Sequence, residues 1–350
     1  MLLHSFKEAA LTTLSIFFRL DHGVFWKRRF HLCSPGAAIK PILLFSLCMG
    51  LLVAAPSFGW EGRKMAKASE RVTRQAHGSG RWFPGNRPEL KEMVEAYMEN
   101  AQPGPVEGRI VGAIAPHAGY VYSGKVAGFT FRAIKDNAQK VGQPETVVVL
   151  GLSHRGGFQG VALMDGDAIE TPLGRATLDG EAGEILAAES SRIFFNYAPH
   201  QGEHSAENEI PFVQAALPGV KMVVALMGDH DPKTLDELVA ALNVLSKKKR
   251  ILVVASTDML HDPSYDRVRE TDGKTLEKLR TMDTEGLQKA WGYDEQIFCG
   301  IGPVLAVMKF ALAQGCKKGS VLHYRNSGDD FPEGRGSWVV GYGSAVFAVE

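Results

Sequence analysis

The stretch IVGAIAPHAGY, residues 110–120, contains the pattern that decides the fold. Its first six residues are continuously apolar, which is typical of a strand buried on both faces of a sheet. His117 and Gly119 follow at once, and packing of a core does not require such a pair. A glycine lets the backbone approach a ligand closely, and a histidine supplies a chemically active side chain. We therefore predict a buried strand that ends at a functional site.

Similar apolar runs recur along the chain. They predict buried strands at 110–115, 146–151, 221–227 and 250–256, and further strands at 319–324 and 337–349. Helical spacing lies between several of them, at 124–139, 205–217 and 232–247, and Ser205 is the predicted N-cap of the second of these helices. Strands that alternate with helices predict an α/β fold with a mostly parallel or mixed central sheet flanked by helices.

Composition restricts the class of partner. The 350 residues are enough for one large domain or two small ones, and 39 acidic residues balance 39 basic residues. The basic residues form no concentrated stripe of the kind that binds nucleic acid. We therefore expect a small-molecule substrate and no nucleic acid.

The four cysteines form no CxxC pair, which argues against a zinc ribbon and against a thioredoxin-like motif. A disulfide between Cys299 and Cys316 is the alternative. The residues between them, 302–314, predict a helix roughly 20 Å long. Two cysteines at opposite ends of such a helix would rarely meet the limit of about 7 Å on Cα separation, so we expect free thiols.

The N-terminal region predicts a leader. An apolar run without charge, residues 41–55, follows several basic residues and precedes small residues, which is the arrangement of a signal peptide. The run is short for a membrane span but starts late, so an uncleaved membrane anchor is an alternative. Two others are a start site further downstream, which would make the protein cytoplasmic, and a buried helix of the fold. We predict a leader at 1–60, a polar lead-in at 61–105 with a short helix at 88–100, and the α/β domain at 106–350.

Polar residues follow three of the predicted strands. His117 follows the first, His154 the second, and Asp258 and His261 the strand at 250–256. In open α/β sheets, ligands bind at the carboxyl ends of the strands. One such histidine would usually be structural, but three equivalent positions predict a shared site.

Two histidines and a third ligand would form a metal site with open positions. The residues leave three candidates for the third ligand: Asp258, Glu203 and Cys299. A carboxylate would complete the facial triad of non-haem iron enzymes. Cys299 precedes a predicted helix, so we expect a lowered thiol pKa and easier metal binding. The alternative for Cys299 is a small buried apolar side chain.

The stretch HQGEHSAENEIPF, residues 200–212, adds further candidates. Glu203 and His204 could supply acid and base groups. A helix start whose acidic residues complement the helix dipole is the alternative, although it explains Glu207 better than it explains the histidines.

Eight motifs, in order, resemble the Memo-like family, which includes AmmeMemoRadiSam system protein B. They are PHAGYVYSG (116–124), LGLSH (150–154), ETPLG (170–174), EHSAENEIPF (203–212), STDMLH (256–261), CGIGP (299–303), YRNSGD (324–329) and VVGYGSAVF (339–347), and they cover about 110–348. The resemblance implies a fold similar to class III extradiol ring-cleaving dioxygenases.

The resemblance also implies roles for individual residues. The matching metal ligands are His117, His154 and Cys299, and the implied metal is Fe(II), with copper and zinc as alternatives. Asp258 and His261 would line the same pocket, with His204 or His261 as the acid or base. The family name implies association with AMMECR-domain and radical-SAM proteins. A radical-SAM partner would be cytosolic, which conflicts with the predicted export of this chain.

Two functional hypotheses follow. The first is a metal-dependent, dioxygenase-type enzyme in which Tyr120, Arg155 and Glu203 contact the substrate. Many relatives carry a second histidine where Arg155 stands, so the charge preference for substrate is expected to differ. The second is a non-catalytic module that binds a metal or a peptide, with Tyr120, Tyr122 and Arg155 along its groove.

Overall fold

The computed structural model describes residues 72–292 and 295–350. The predicted leader at 1–60 lies outside these residues. The described strands are β1 (Thr73–Gln75), β2 (Arg109–Ala115), β3 (Thr146–Leu152), β4 (Val161–Leu163), β5 (Ala168–Thr171), β6 (Gly174–Thr177), β7 (Ile193–Phe195), β8 (Lys221–Met227), β9 (Ile251–Ser256), β10 (His261–Asp262), β11 (Gly319–Asn326) and β12 (Val339–Val349). The described helices are α1 (Arg87–Asn100), α2 (Tyr120–Val141), α3 (Gly180–Glu189), α4 (Ile210–Ala216), α5 (Pro232–Lys248), α6 (Tyr265–Arg280), α7 (Thr284–Ala290), α8 (Ile301–Ala313) and α9 (Ser327–Asp330).

The central sheet has the strand order β10-β12-β2-β9-β3-β8-β4-β7, and β11 also pairs with β12. Its middle, β2-β9-β3-β8, is parallel. Antiparallel neighbours flank this middle, with β12 against β2 and β4 against β8. A small second sheet has the order β1-β5-β6. The predicted α/β fold with a mixed central sheet is therefore confirmed.

Apolar layers cover both faces of the sheet. Val148 and Leu150 of β3 face one core, which includes side chains of α5 and α8. Val147 and Val149 face the other core, which includes side chains of α2 and α4. Successive side chains of a strand point to opposite faces. A strand with both faces covered must be apolar at every position, which explains the continuous runs in the sequence.

The helix predicted at 88–100 is confirmed as α1. Asn86 caps it by accepting a hydrogen bond from the backbone N–H of Glu89, and a proline occupies its first turn. Its buried residues Leu90, Val94 and Met98 belong to the same core as α2 and α4. The segment predicted as a polar lead-in thus contributes to the core.

The α1–α2 contact depends on Gly128, where a Cβ would overlap the backbone carbonyl of Tyr97. Gly128→Ala is expected to destabilise the fold by roughly 1–3 kcal/mol, because two backbones cannot separate without loss of packing. Gly273 is the matched control, since it is an exposed glycine of α6 where an added Cβ would meet open space. Gly273→Ala is expected to stabilise by about 1 kcal/mol through helix propensity. Urea unfolding of both variants measures the difference, and equal effects would contradict it.

The helix predicted at 205–217 is shorter in the structure. A 3₁₀ turn, Glu207–Glu209, precedes α4. The prediction that Ser205 is its N-cap is wrong. The Ser205 hydroxyl instead donates to the carbonyl of Leu152 at 2.6 Å and accepts from the N–H of Leu152 at 3.1 Å. Ser205 therefore joins this segment to the end of β3.

Two further expectations concern the helices and the cysteines. Among residues 72–292 and 295–350, no helix combines the length and the apolar character that a membrane crossing requires. Cys299 and Cys316 are both free thiols, as predicted.

Asp272 of α6 ties this helix to the loop after β9 and to β11. It accepts hydrogen bonds from the Leu260 N–H at 3.2 Å and from the Tyr324 hydroxyl at 2.8 Å. Burial raises the pKa of its carboxyl to about 7 although both hydrogen bonds lower it.

The raised pKa predicts a pH dependence of stability. The folded protein binds the Asp272 proton more tightly than the unfolded chain, in which the carboxyl has a pKa of about 3.9. The protonated carboxyl therefore stabilises the fold fully below about pH 4, and this stabilisation is lost as pH rises to about 7. Asp272→Asn cannot ionise. Its free energy of unfolding, relative to the parent, is therefore expected to increase by up to about 4 kcal/mol across this window. Glu270→Gln, on an exposed face of α6, is the control and should show no such trend. If the difference in free energy of unfolding between the parent and Asp272→Asn stays constant with pH, the raised pKa of Asp272 is wrong.

Candidate metal centre

Three elements bring the predicted ligands to one edge of the sheet. His117 follows β2 and His154 follows β3, and both strands lie parallel to β9. Cys299 stands just before α8, which packs on the same sheet. Because the carboxyl ends of parallel strands meet at one edge, residues far apart in sequence converge there.

The convergence is close enough for a shared ion. The ligand atoms of His117, His154 and Cys299 all lie within 4.8 Å of one another. Nε2 of His117 is 3.4 Å from Sγ of Cys299. The two imidazole rings are nearly perpendicular, at 84°, with centroids 5.3 Å apart. Zinc, copper and iron all accept imidazole and thiolate, at metal–ligand distances of about 2.0–2.3 Å.

Each histidine presents Nε2 because its Nδ1 is already engaged. Nδ1 of His117 lies 3.1 Å from the Ser256 hydroxyl, and Nδ1 of His154 lies 2.9 Å from Oε1 of Glu203. Such partners hold ligand histidines in a single tautomer and orientation. Burial lowers the pKa of His117 to about 3, so its imidazole is neutral at physiological pH and able to bind a metal. The residues present therefore fit a transition metal.

The expected low thiol pKa of Cys299 is wrong. Burial raises this pKa to about 12, and the nearby Asp258 carboxylate acts in the same direction, which together outweigh the hydrogen bonds from the Thr257 hydroxyl and from the backbone N–H groups of Asp258 and Gly300. The N–H of Asp258 donates to Sγ at 3.2 Å, and the Thr257 hydroxyl lies 3.5 Å away. The metal-free protein holds a thiol, and a metal ion would have to displace its proton.

Glu203 holds His154 and the chain beside it. Oε2 accepts the N–H of His154 at 2.6 Å, while Oε1 accepts the N–H groups of His204 and Ser205, both at 2.9 Å. Burial alone would raise its pKa, but these bonds and the charge of His154 lower it to about 2. Its predicted contact with substrate does not fit this placement, because both oxygens are committed to the protein. Gly151 of β3 allows the segment of Ser205 to approach the strand, since a Cβ at position 151 would overlap Ser205.

His204 stands in a stack of three rings. It lies parallel to Trp82, with centroids 3.8 Å apart, and to His154, with centroids 4.7 Å apart. Burial lowers its pKa to about 3, and the neighbouring His117 and His154 contribute to the same shift. The ligand atoms of His154, Glu203 and His204 form a second group within 4.8 Å, which shares His154 with the first.

Asp258 contacts His117 and interacts electrostatically with His261. Oδ1 of Asp258 accepts the N–H groups of His117 at 2.9 Å and Ala118 at 3.2 Å, and Oδ2 is 4.0 Å from Nε2 of His117. Burial raises the pKa of Asp258. Burial also lowers the pKa of His261, although the charge of Asp258 opposes this shift. Nε2 of His261 is buried and has no hydrogen-bond partner in residues 72–292 and 295–350.

The remaining two predicted residues are placed differently. Tyr120 is buried in the aromatic core, and its hydroxyl donates to the Asn208 carbonyl at 2.6 Å. Its predicted contact with substrate therefore does not fit the structure. Arg155 is exposed beside the site and donates from Nε to the Gly202 carbonyl at 3.1 Å.

A cavity of about 710 Å³ reaches the candidate ligands. Its size is that of a site for a small molecule. Both His154 and Cys299 line it, together with residues at the end of β8, in the loop after β8, after α7 and at the start of α8, among them Met227, Asp229, His230, Trp291 and Pro303. A ligand in this cavity would lie next to an ion held by the histidines and the cysteine.

Sequence reasoning missed three contributors. Trp82 stacks on His204, and Ser256 and Glu209 lie behind His117 in one hydrogen-bonded chain. Ser256 ends a predicted strand and is the first residue of the STDMLH motif, which was an available signal. Glu209 lies within the EHSAENEIPF motif, which was a signal of the same kind. Trp82 carried no signal, because its partner His204 is distant in sequence.

The fold and the site define an α/β protein with a histidine–cysteine candidate metal centre at the edge of its sheet. The model of the family described as Memo-like protein matches residues 74–346. A MEMO1 family protein of Methanopyrus kandleri is 32% identical over 279 residues, which cover 77% of this chain and 96% of that protein. A MEMO1 family protein of Nitrosopumilus maritimus is 32% identical over 275 residues, which cover 77% and 97%. The chain belongs to the Memo-like family, as its motifs predicted.

Among solved structures, an uncharacterized protein of Escherichia coli K12 matches with a TM-score of 0.44 and 14% identity. The match covers 67% of this chain and 99% of that chain. This similarity is too weak to support an inference about function.

Proposed function

We propose that this protein is a metal-dependent enzyme, with Fe(II) bound by His117, His154 and Cys299, that oxidises a small substrate in a dioxygenase-type reaction. The observation that carries the proposal is the grouping of three ligand atoms within 4.8 Å beside a cavity of about 710 Å³. Bound iron would supply open positions for O₂ or for an oxygen-bearing substrate. Copper and zinc fit the same ligands.

The protein's own residues would bind the substrate and move protons. The cavity, which is partly open to solvent, would cover part of the substrate. His261 has a buried Nε2 without a partner in the described part of the chain, so this atom would accept or return a proton for a substrate hydroxyl placed within hydrogen-bond reach of it. Asp258 lies beside it and opposes the lowering of the His261 pKa, which favours acceptance of that proton. His204, neutral in its stack, is the second candidate for this role.

The proposal is tested by metal content and oxygen consumption. The full chain is reconstituted with Fe(II) under anaerobic conditions, and bound iron is measured after desalting. About one ion per chain is expected, with loss in the double variant His117→Ala/His154→Ala. Oxygen uptake is then followed with a panel of catechols and other small hydroxylated compounds. Trace iron after reconstitution, or equal iron in the double variant, would refute the proposal.

A non-catalytic binding module is the second candidate function. Exposed apolar side chains near the site favour it: Val121 is 54% exposed, Tyr122 is 46% exposed and Trp338 is 56% exposed. The ring centroids of Trp338 and His261 are 6.0 Å apart. Such a surface suits a peptide or another protein. Metal-loaded protein that consumes no oxygen with any compound of the panel would favour this function.

A further inference from the structure

Glu209 is a buried carboxyl linked to the candidate ligand His117 through one serine. Its side chain is 1% exposed, and its Oε1 lies 2.7 Å from the Ser256 hydroxyl. The same hydroxyl lies 3.1 Å from Nδ1 of His117. Glu209 has no role in the proposed reaction, so a buried acid at this position requires another physical reason.

The positions of the protons between Glu209, Ser256 and His117 can be assigned from their hydrogen bonds. The Ser256 hydroxyl makes a third, short contact with the backbone carbonyl of Ser205. A carbonyl oxygen accepts and never donates, so Ser256 must give it the single hydroxyl proton. Two lone pairs then remain on Ser256. His117 and Glu209 each have to bring a proton to one of them, the first from Nδ1 and the second from Oε1.

The opposite assignment fails on two counts. An ionised Glu209 would take the serine proton, and the contact between Ser256 and the Ser205 carbonyl would be left with no proton between two oxygens. Its second oxygen, Oε2, is also buried without a hydrogen-bond partner among the described residues. A buried carboxylate with an unpaired oxygen is strongly unfavourable, whereas the carbonyl oxygen of a neutral acid is tolerated at lower cost. The pKa of Glu209, which burial raises to about 8, is consistent with a protonated acid.

We propose that Glu209 is an uncharged acid and a positioning residue, which donates to Ser256 and, through this serine, holds His117 as the Nδ1–H tautomer with Nε2 facing Cys299. The inference deepens the proposed function and rests on it where metal binding is concerned. It also separates the two histidines chemically. The Glu203 carboxylate bonds directly to His154, whereas a neutral hydroxyl bonds to His117, so the two candidate ligands are oriented by partners of different charge.

The tautomer is measured on the metal-free protein. Nitrogen NMR of the full chain, labelled in its histidines and assigned with a His117→Gln sample, is expected to show a proton on Nδ1 of His117 and none on Nε2. Ser256→Ala removes the acceptor and should release Nε2–H tautomer into the spectrum. A proton on Nε2 in the parent protein would overturn the proposal. This readout needs no metal, so it separates a failure here from a failure of the proposed function.

The charge of Glu209 is tested by conservative replacement, with Zn²⁺ as a redox-inert probe of affinity. Glu209→Leu lacks the donor and is expected to weaken Zn²⁺ binding about tenfold, and Glu209→Gln, whose amide donates to Ser256, should restore binding to within about threefold of the parent. The same exchange at the ionised acid, Glu203→Gln, should weaken binding strongly. If Glu209→Gln loses as much affinity as Glu203→Gln, Glu209 is ionised and the proposal is wrong.

Discussion

Replacing Cys299 by alanine is expected to weaken Fe(II) or Zn²⁺ binding by more than about 100-fold. Changes to groups that only contact ligands cost about 10–100-fold in affinity, so loss of a ligand atom should cost more. Sγ of Cys299 is 3.4 Å from Nε2 of His117, and the cysteine lines the cavity. The affinity is measured by competition with a chelator of known strength under anaerobic conditions.

Cys316 provides the matched control. It is also a free thiol, follows the other end of α8, and donates to the Lys318 carbonyl at 3.2 Å. Cys316→Ala should leave the affinity unchanged. Parent-like affinity in Cys299→Ala would instead point to the second group of ligand atoms, formed by His154, Glu203 and His204.

Glu203→Gln is expected to weaken metal binding by about 10–100-fold and to destabilise the fold by roughly 2–3 kcal/mol. The N–H groups of His154, His204 and Ser205 and a ring nitrogen of His154 all face this carboxylate. A glutamine offers one acceptor oxygen, and its amide N–H₂ would face further donors. The ring of His154 would then lose the partner that orients it.

The same variant should change the response to acid. The folded pKa of Glu203 is lowered to about 2, whereas the unfolded value is about 4.3, so its carboxylate stabilises the fold above about pH 4.3 and loses this effect as pH falls towards 2. The stability gap between parent and Glu203→Gln should therefore narrow across this window. Glu92→Gln, at an exposed position of α1, is the control. A gap in urea unfolding that stays constant from about pH 5 to about pH 2 would contradict the assigned ionisation.

Local pattern predicted the fold well where a strand is covered on both faces. The runs at 110–115, 146–151, 221–227 and 250–256 became β2, β3, β8 and β9 with small shifts of their ends. The short strands β4 and β7 were not predicted. Strands this short carry too little periodicity to be recognised, and they are defined by their pairing, β4 with β8 and β7 with β4.

The site was predicted where the chain order of the sheet fixes the position of a residue. His117 follows β2 and His154 follows β3, two parallel strands with β9 between them, so the topology of the sheet brings both histidines to the same edge. The environment of each side chain did not follow. The Cys299 thiol was expected to be acidic, yet burial and Asp258 raise its pKa. Glu203 and Tyr120 were expected to face substrate, yet one is committed to backbone N–H groups and the other to the aromatic core.

The amino-acid order by itself determined which segments become the long buried strands, that these strands belong to an α/β sheet, and that imidazoles gather at one of its edges. These properties depend on side-chain periodicity and on the direction of strands, which are local. Only the tertiary structure decided the stacking of Trp82 on His204, the lowered pKa of Glu203 and the raised pKa of Glu209. Each of these depends on burial and on hydrogen bonds from residues far away in the chain, and neither is encoded in a short window of sequence.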